Sequence, residues 1–267
     1  MTSAISATRA EVRDYSTVTE LSGDDVTRQQ ITSAYHRYTW AAEHCAGKDV
    51  LEVACGSGVG LGLLARVARS TRAGDITPAL VARAQAHYGD RIAICLMDAE
   101  ALPFPDATLD VVILCEALYY LPHPERFVAE CRRVLRPGGA VLITNSNKDM
   151  PDFAPSPFAN VYHGVVELEQ LFAAECFGTS FFGYWTYETA RPWVRALVPI
   201  KRAVVASGLM PRTMQGKKLL KRVVFGRLEP MPRELQPDSY AFEPPAPLAA
   251  GIVDRCHRVV YCVARCA

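Results

Sequence analysis

The 267 residues are half hydrophobic and 21% charged, with a formal net charge of +1. That length allows one α/β core with an insertion, and that composition excludes a disordered or fibrous chain. The near-neutral balance also excludes the whole-molecule field that draws strongly basic proteins to nucleic acid or anionic lipid.

The N-terminal stretch MTSAISATRAEVRDYS lacks the basic segment and apolar run of a signal peptide, and no apolar stretch is long enough to cross a bilayer. A cytoplasmic protein without an integral membrane segment is therefore expected. Nine cysteines, an odd number without a CxxC pair, argue against a disulfide framework and against a structural zinc site. Cys95, Cys115 and Cys262 sit in apolar, strand-like runs and are read as buried thiols.

Residues 27–44 read as a helix carrying Tyr35, Tyr38 and Trp40, placed to lie over a ligand mouth. From Lys48 onward, short apolar runs alternate with amphipathic stretches, the pattern of parallel strands joined by crossover helices. The expected strands are 49–54, 70–76, 92–98, 109–115 and 140–144; the expected helices are 61–68, 78–86 and 125–135. Thr77-Pro78 supplies an N-cap with proline at the first helical position, and Arg136-Pro137-Gly138-Gly139 ends a helix with breakers. A proline-rich loop, a helix over 165–177, a strand over 179–184 and a last strand over 258–264 complete the series.

The predicted fold is an α/β, Rossmann-like, doubly wound, mostly parallel seven-stranded sheet, with an N-terminal helical cap and an insertion before the last strand. Its expected parts are a cap over 1–47, a cofactor-binding core over 48–184, an acceptor-lobe insertion over 185–250 and a returning strand over 251–267.

The sharpest local signal is Asp49-Val50-Leu51-Glu52-Val53-Ala54-Cys55-Gly56-Ser57-Gly58-Val59-Gly60, an apolar strand running into a glycine-rich turn and then a helix. Gly56 and Gly58 let the backbone turn tightly and approach a ligand with no Cβ between. Asp75 ends the next strand, about twenty residues on, where an acid accepts hydrogen bonds from ribose hydroxyls. Asp98 ends the strand after that, placed to accept from an adenine amino group while the Ala99 N–H faces the ring. Taken singly, either aspartate is an ordinary loop or cap residue; at the ends of consecutive strands they line one crevice.

These motifs, together with Asp98-Ala99-Glu100-Ala101-Leu102-Pro103-Phe104 and Arg133-Val134-Leu135-Arg136-Pro137-Gly138-Gly139, resemble those of class I S-adenosylmethionine-dependent methyltransferases, the group of ubiquinone-biosynthesis enzymes above all. The resemblance runs from about Val50 to Thr144. It implies S-adenosyl-L-methionine as cofactor, with Glu52 near the methionyl amino group. Ala54, Cys55, Gly56 and Gly58 would run along the methionyl and ribose portion. Asp75 would hold the ribose, Ile76 would pack on the adenine, and Asp98 with Ala99 would read its edge. Cys115 and Glu116 would face the sulfonium, and Arg37 or Tyr38 would close over the methionyl carboxylate.

Methyl transfer from a sulfonium depends mainly on in-line positioning, with a base needed where the acceptor is a hydroxyl or a protonated amine. Tyr119 and Tyr120 are read as acceptor-pocket walls and His163 as the base, the alternative for each being an ordinary packed side chain. The segment from Trp185 to Gly251 is rich in Arg and Lys between Arg191 and Arg227. That fits an anionic acceptor, peripheral contact with a membrane, or the solvated face of an amphipathic helix.

Two rival readings remain at this stage: an NAD-dependent oxidoreductase, whose third glycine falls here on Leu61, and a non-catalytic module that binds S-adenosylmethionine. The expected partner is a small-molecule acceptor rather than nucleic acid, with oligomeric state open. The chain lacks the Pro-Pro-aromatic motif after the fourth strand and the Pro-Cys pair of DNA-methylating enzymes.

Overall fold

A computed structural model describes residues 14–186 and 228–266. The basic positions from Arg191 to Arg227 lie outside the described residues. In chain order the elements are β1 (Asp25–Thr27), α1 (Arg28–Glu43), β2 (Asp49–Val53), α2 (Leu61–Val67), β3 (Ser70–Asp75), α3 (Pro78–Tyr88), β4 (Ala93–Leu96) and β5 (Leu109–Cys115). There follow α4 (Pro124–Val134), β6 (Leu135–Ser146), α5 (Val165–Ala173), β7 (Phe177–Thr186), β8 (Leu228–Pro230), β9 (Ala246–Leu248) and β10 (His257–Cys266).

The main sheet runs β4-β3-β2-β5-β6-β10-β7-β9. β2 pairs in parallel with β3 and β5, β3 with β4, and β5 with β6; β10 is antiparallel to both β6 and β7. The expected seven strands are present, and the three-residue β9 adds an edge beyond β7. The chain winds outward from β2 through β3 to β4, then returns to β5 and winds the other way. That reversal leaves a crevice at the carboxyl ends of β2 and β5.

The period-two alternation of strand side chains sorts the core into two layers. Val50, Val111, Ile113 and Leu142 pack on the side of α1, α2 and α3, whereas Leu51, Val112, Leu114 and Val141 pack with Phe127 of α4 and Phe172 of α5. On α4, Pro124 starts the helix, and Phe127, Val128, Cys131 and Val134 form one buried stripe. Among the described residues no helix is long and apolar enough to cross a membrane.

Several local expectations are corrected. Arg136-Pro137-Gly138-Gly139 does follow the end of a helix, α4 stopping at Val134, but the strand expected from 140 already starts at Leu135 and these residues form a bulge in β6. Leu135 pairs with Leu109 and Ala140 with Val111, so the four breakers lie opposite Asp110 alone. Arg136 then donates to Asp110 at 2.7 Å and to Asp49 at 3.1 Å, tying the amino ends of β2 and β5 together. Thr77 is the N-cap of α3 but makes no capping side-chain bond; its Oγ1 accepts the Tyr15 N–H instead, at 3.2 Å. The helix expected over 165–177 stops at Ala173 because Cys176 takes a φ of +59°, which turns the chain into β7. All nine cysteines are unpaired; Cys262 is buried and Cys115 partly so, but Cys95 is exposed, because β4 is the sheet's outer strand.

α1 is anchored to β10 by a buried aromatic cluster. The His36 Nε2–H donates to the Glu243 carbonyl, which leaves Nδ1 to accept from the Tyr261 hydroxyl at 2.9 Å. Tyr184 stacks on the His36 ring at 3.5 Å, and burial pushes the imidazole pKa down to about 4, so it stays neutral.

Leu114 is fully buried in β5, whereas Leu96 is 57% exposed. Leu114→Ala is expected to lower unfolding free energy by about 2–5 kcal/mol and Leu96→Ala by less than about 0.5 kcal/mol, measured by urea titration.

Candidate functional site

The carboxyl ends of β2, β3, β4, β5 and β6 open on a cleft of about 960 Å³, near the upper end of the range for small-molecule sites, about 300–1,000 Å³. Its floor is the glycine turn after β2, where Gly56 and Gly58 hold φ of +57° and +78°. Ala54 and Glu116, each just past the end of a strand, also adopt positive φ, at +53° and +51°. Such backbone costs on the order of 1–3 kcal/mol in a residue with a Cβ, and here it stands on both sides of the crevice.

Asp75 is buried beside the turn. Its Oδ2 accepts the Gly56 N–H and its Oδ1 the Thr77 N–H, both at 2.9 Å. Burial raises its pKa even though those N–H groups oppose the shift. Ile76 is 36% exposed at the rim. Asp98 fixes its direction by accepting the Glu100 N–H at 2.9 Å, and Ala99 is buried next to it.

On the other wall, burial pushes the Cys115 thiol up to about 12 and raises Cys55 well above its ordinary value, so both are neutral apolar surface. Glu116 Oε2 accepts from Ser146 Oγ at 2.7 Å and from the Tyr119 hydroxyl at 3.2 Å, while Oε1 is buried without a partner. Burial disfavours the charge on Arg37, but the facing Glu116 carboxylate outweighs it and holds the guanidinium more firmly protonated than usual; its Nε is also unpartnered. The ring of Tyr38 lies against the glycine turn: a Cβ on Gly60 would stand 2.1 Å from it.

The Tyr38 hydroxyl donates to Glu52, which is 1% exposed, next in the chain to the lining residues Val53 and Ala54. Burial pushes the Glu52 carboxyl up to about 8, with the Tyr38 bond and Arg37 opposing, and its Oε2 has no partner.

The expected site residues thus gather at one place, with three exceptions. Glu52, Gly58 and His163 do not line the cleft. His163 is 9% exposed, its Nδ1 is unpartnered, and burial lowers its pKa. Tyr119 and Tyr120 line the cleft, Tyr119 stacking on Tyr162 at 4.4 Å.

Other lining residues escaped sequence reasoning. Asp14 to Glu20 form a strap: the Tyr15 N–H reaches Thr77, and the Tyr15 hydroxyl donates to the Tyr120 carbonyl at 3.4 Å, which carries the chain across the mouth. Gln30, Ser33 and Ala34 of α1 line it with Arg37 and Tyr38, a three-and-four spacing that the sequence does display. Ser146, Trp185, Met231 and Val259 come from distant parts of the chain, and no local pattern marks them.

Residues 51–143 match the family model described as "Methyltransferase domain". A probable S-adenosylmethionine-dependent methyltransferase of Mycolicibacterium smegmatis is 43% identical over 111 residues, covering 42% of this chain and 43% of that protein. Phthiotriol/phenolphthiotriol dimycocerosates methyltransferase 1 of Mycobacterium ulcerans is 40% identical over 125 residues, covering 46% of this chain and 45% of that protein. The chain therefore spans less than half the length of these relatives. In the solved complex of the Haloferax volcanii Trm112 methyltransferase activator with a putative methyltransferase, a chain 16% identical superposes with a TM-score of 0.57, covering 96% of this chain and 99% of that one. That likeness shows the fold alone.

The segment 51–143 thus matches a methyltransferase-domain family and lies in a Rossmann-like sheet. The ubiquinone-biosynthesis group is not the one these relatives' names give.

The folded-state value of Glu52, about 8, lies above the ordinary 4.5, so its contribution to stability is fully present below 4.5 and is lost as pH rises through about 8. Glu52→Gln is expected to gain stability relative to wild type progressively between pH 4.5 and 8, levelling above that, in denaturant titrations across the range.

Proposed function

We propose that the chain moves the methyl group of S-adenosyl-L-methionine to an O, N or C nucleophile of a small-molecule acceptor. The observation that carries this reading is the convergence of Asp75, Asp98 and the Gly56–Gly58 turn on one cleft. The residues fit the cofactor. The Asp75 carboxyl lining the cleft suits the ribose hydroxyls, Ile76 offers an apolar face to the adenine, and Asp98 with the Ala99 N–H suits the adenine edge. The orphaned Glu52 Oε2 and the Tyr38 ring behind the glycine turn suit a cationic amino group.

The cofactor, when bound, supplies a methyl group already activated by sulfonium charge. The protein's share is then positioning and exclusion of water. α1 and the strap provide the cover: the strap is clasped at Thr77 and Tyr120, and Arg37 with Tyr38 closes the methionyl end. The 1–47 cap and the 185–250 acceptor lobe are proposed in the roles assigned above. The relatives named for phthiotriol dimycocerosates support a lipid-like acceptor.

Titration calorimetry is expected to give saturable binding of S-adenosylmethionine and none of NAD, and tritium from the labelled methyl group is expected in small molecules of a metabolite extract. Asp75→Asn should weaken S-adenosylmethionine binding by about 10- to 100-fold through its ribose hydrogen bonds. Binding of NAD in place of S-adenosylmethionine would overturn the proposal. Because a cation beside Glu52 favours its charged form, binding near neutral pH should release protons, read as a dependence of the heat on buffer ionisation enthalpy, and Glu52→Gln should abolish that release.

A further inference from the structure

The strand order divides the cleft in two. Asp75, Asp98 and the glycine turn occupy the side of β2, β3 and β4. Beyond β5, the same edge of the sheet brings Ser146 of β6, Val259 of β10 and Trp185 of β7 into the cleft, with Val259 paired to both Ser146 and Tyr184. Nothing in the cofactor reading uses that second half. Glu116 stands where the halves meet, because it directly follows β5.

The Glu116 carboxylate is half satisfied. Ser146 and Tyr119 both donate to Oε2, which fixes the plane of the group, and leaves Oε1 buried with no donor. A buried acceptor left bare is costly, and the positive φ of +51° at this residue adds strain to the same spot. What this oxygen lacks is a proton donor. Trp185 is also held in a particular direction: its φ is +61°, and the Arg258 guanidinium lies 5.5 Å from its ring while Asp152 grips Arg258 at 2.7 Å. Trp185 and Tyr119, the latter stacked on Tyr162, both give aromatic lining to the cleft into which Glu116 also faces.

We infer that this half of the cleft is the acceptor subsite, that its occupant carries a hydroxyl on a flat apolar body, and that Glu116 takes the hydroxyl proton. The inference rests on the methyl-transfer reading. In the step, the O–H bond breaks and its proton passes to Glu116 Oε1. The oxygen's electron pair forms the bond to the methyl carbon, and the pair of the old carbon–sulfur bond stays on sulfur, which becomes a neutral thioether. Ser146 and Tyr119 are positioning residues that keep Oε1 turned forward.

The test uses the full chain saturated with S-adenosylhomocysteine, titrated by calorimetry with naphthol and with its methyl ether, methoxynaphthalene, which has the same body and no O–H. Wild type is expected to bind naphthol about 10-fold or more tightly than the ether, the margin of a hydrogen bond to a charged acceptor. Glu116→Ala should erase that preference, and Trp185→Ala should weaken both probes alike. Glu116→Gln, which keeps the shape and loses the charge, should show a reduced preference and serves if the alanine variant does not fold. Equal affinities in wild type, no saturable binding of either probe, or a preference that survives in the Glu116 variants would overturn the assignment. Failure to bind S-adenosylhomocysteine in the first titration is a separate result, and it overturns the methyl-transfer reading itself.

Discussion

The contact on which the site depends is the hydrogen bond from Tyr38 to Glu52. A carboxyl group buried in the centre of a parallel sheet is expensive unless it is neutral or partnered, and Glu52 is made tolerable by both means. The partner comes from α1, a helix outside the sheet, so satisfying this one group places the helix over the carboxyl ends of β2 and β5. The position is then over-determined. Gly60 leaves room for the Tyr38 ring, and His36, two residues before Tyr38, is locked to Tyr261 of β10 from the other side. Once α1 is fixed, Arg37 has nowhere to go but toward Glu116, and Gln30, Ser33 and Ala34 become cleft wall.

Much of this was legible in the sequence because it is local. Apolar runs such as Leu109–Cys115 and the glycine turn after β2 write their conformation in consecutive residues, and two aspartates at successive strand ends follow from the same periodicity. The motif around Pro103 and Phe104 was legible for a reason the sequence could not give. Arg133 donates to the carbonyls of Phe104 and Leu102, at 2.7 and 2.9 Å, so the far end of the Asp98–Phe104 motif is a structural joint with the Arg133 motif, while its Asp98 and Ala99 line the cleft.

What stayed hidden depends on pairing between distant residues. Ser146 and Val259 meet only because β10 inserts antiparallel between β6 and β7, and nothing within either strand announces that partner. His163 shows the opposite failure. As a histidine beyond the fifth strand it looked like a base, but the loop that carries it folds back so that its carbonyl receives the Asn145 side chain at 2.7 Å and the ring is buried away from the cleft. Spacing along the chain predicts which strand end a residue follows, not which way the loop beyond it turns.

The two halves of the cleft differ in how their polar groups are satisfied. On the β3 side, the carboxylate of Asp75 is braced by backbone N–H groups, which move only if the fold moves. On the β6 side, Glu116 is braced by hydroxyls, Ser146 and Tyr119, which rotate. Backbone donors suit a ligand whose shape never changes, such as a universal nucleoside cofactor. Side-chain donors allow the geometry around one carboxylate to be altered by single substitutions while the sheet beneath stays intact, as expected of the part of a site that chooses among acceptors.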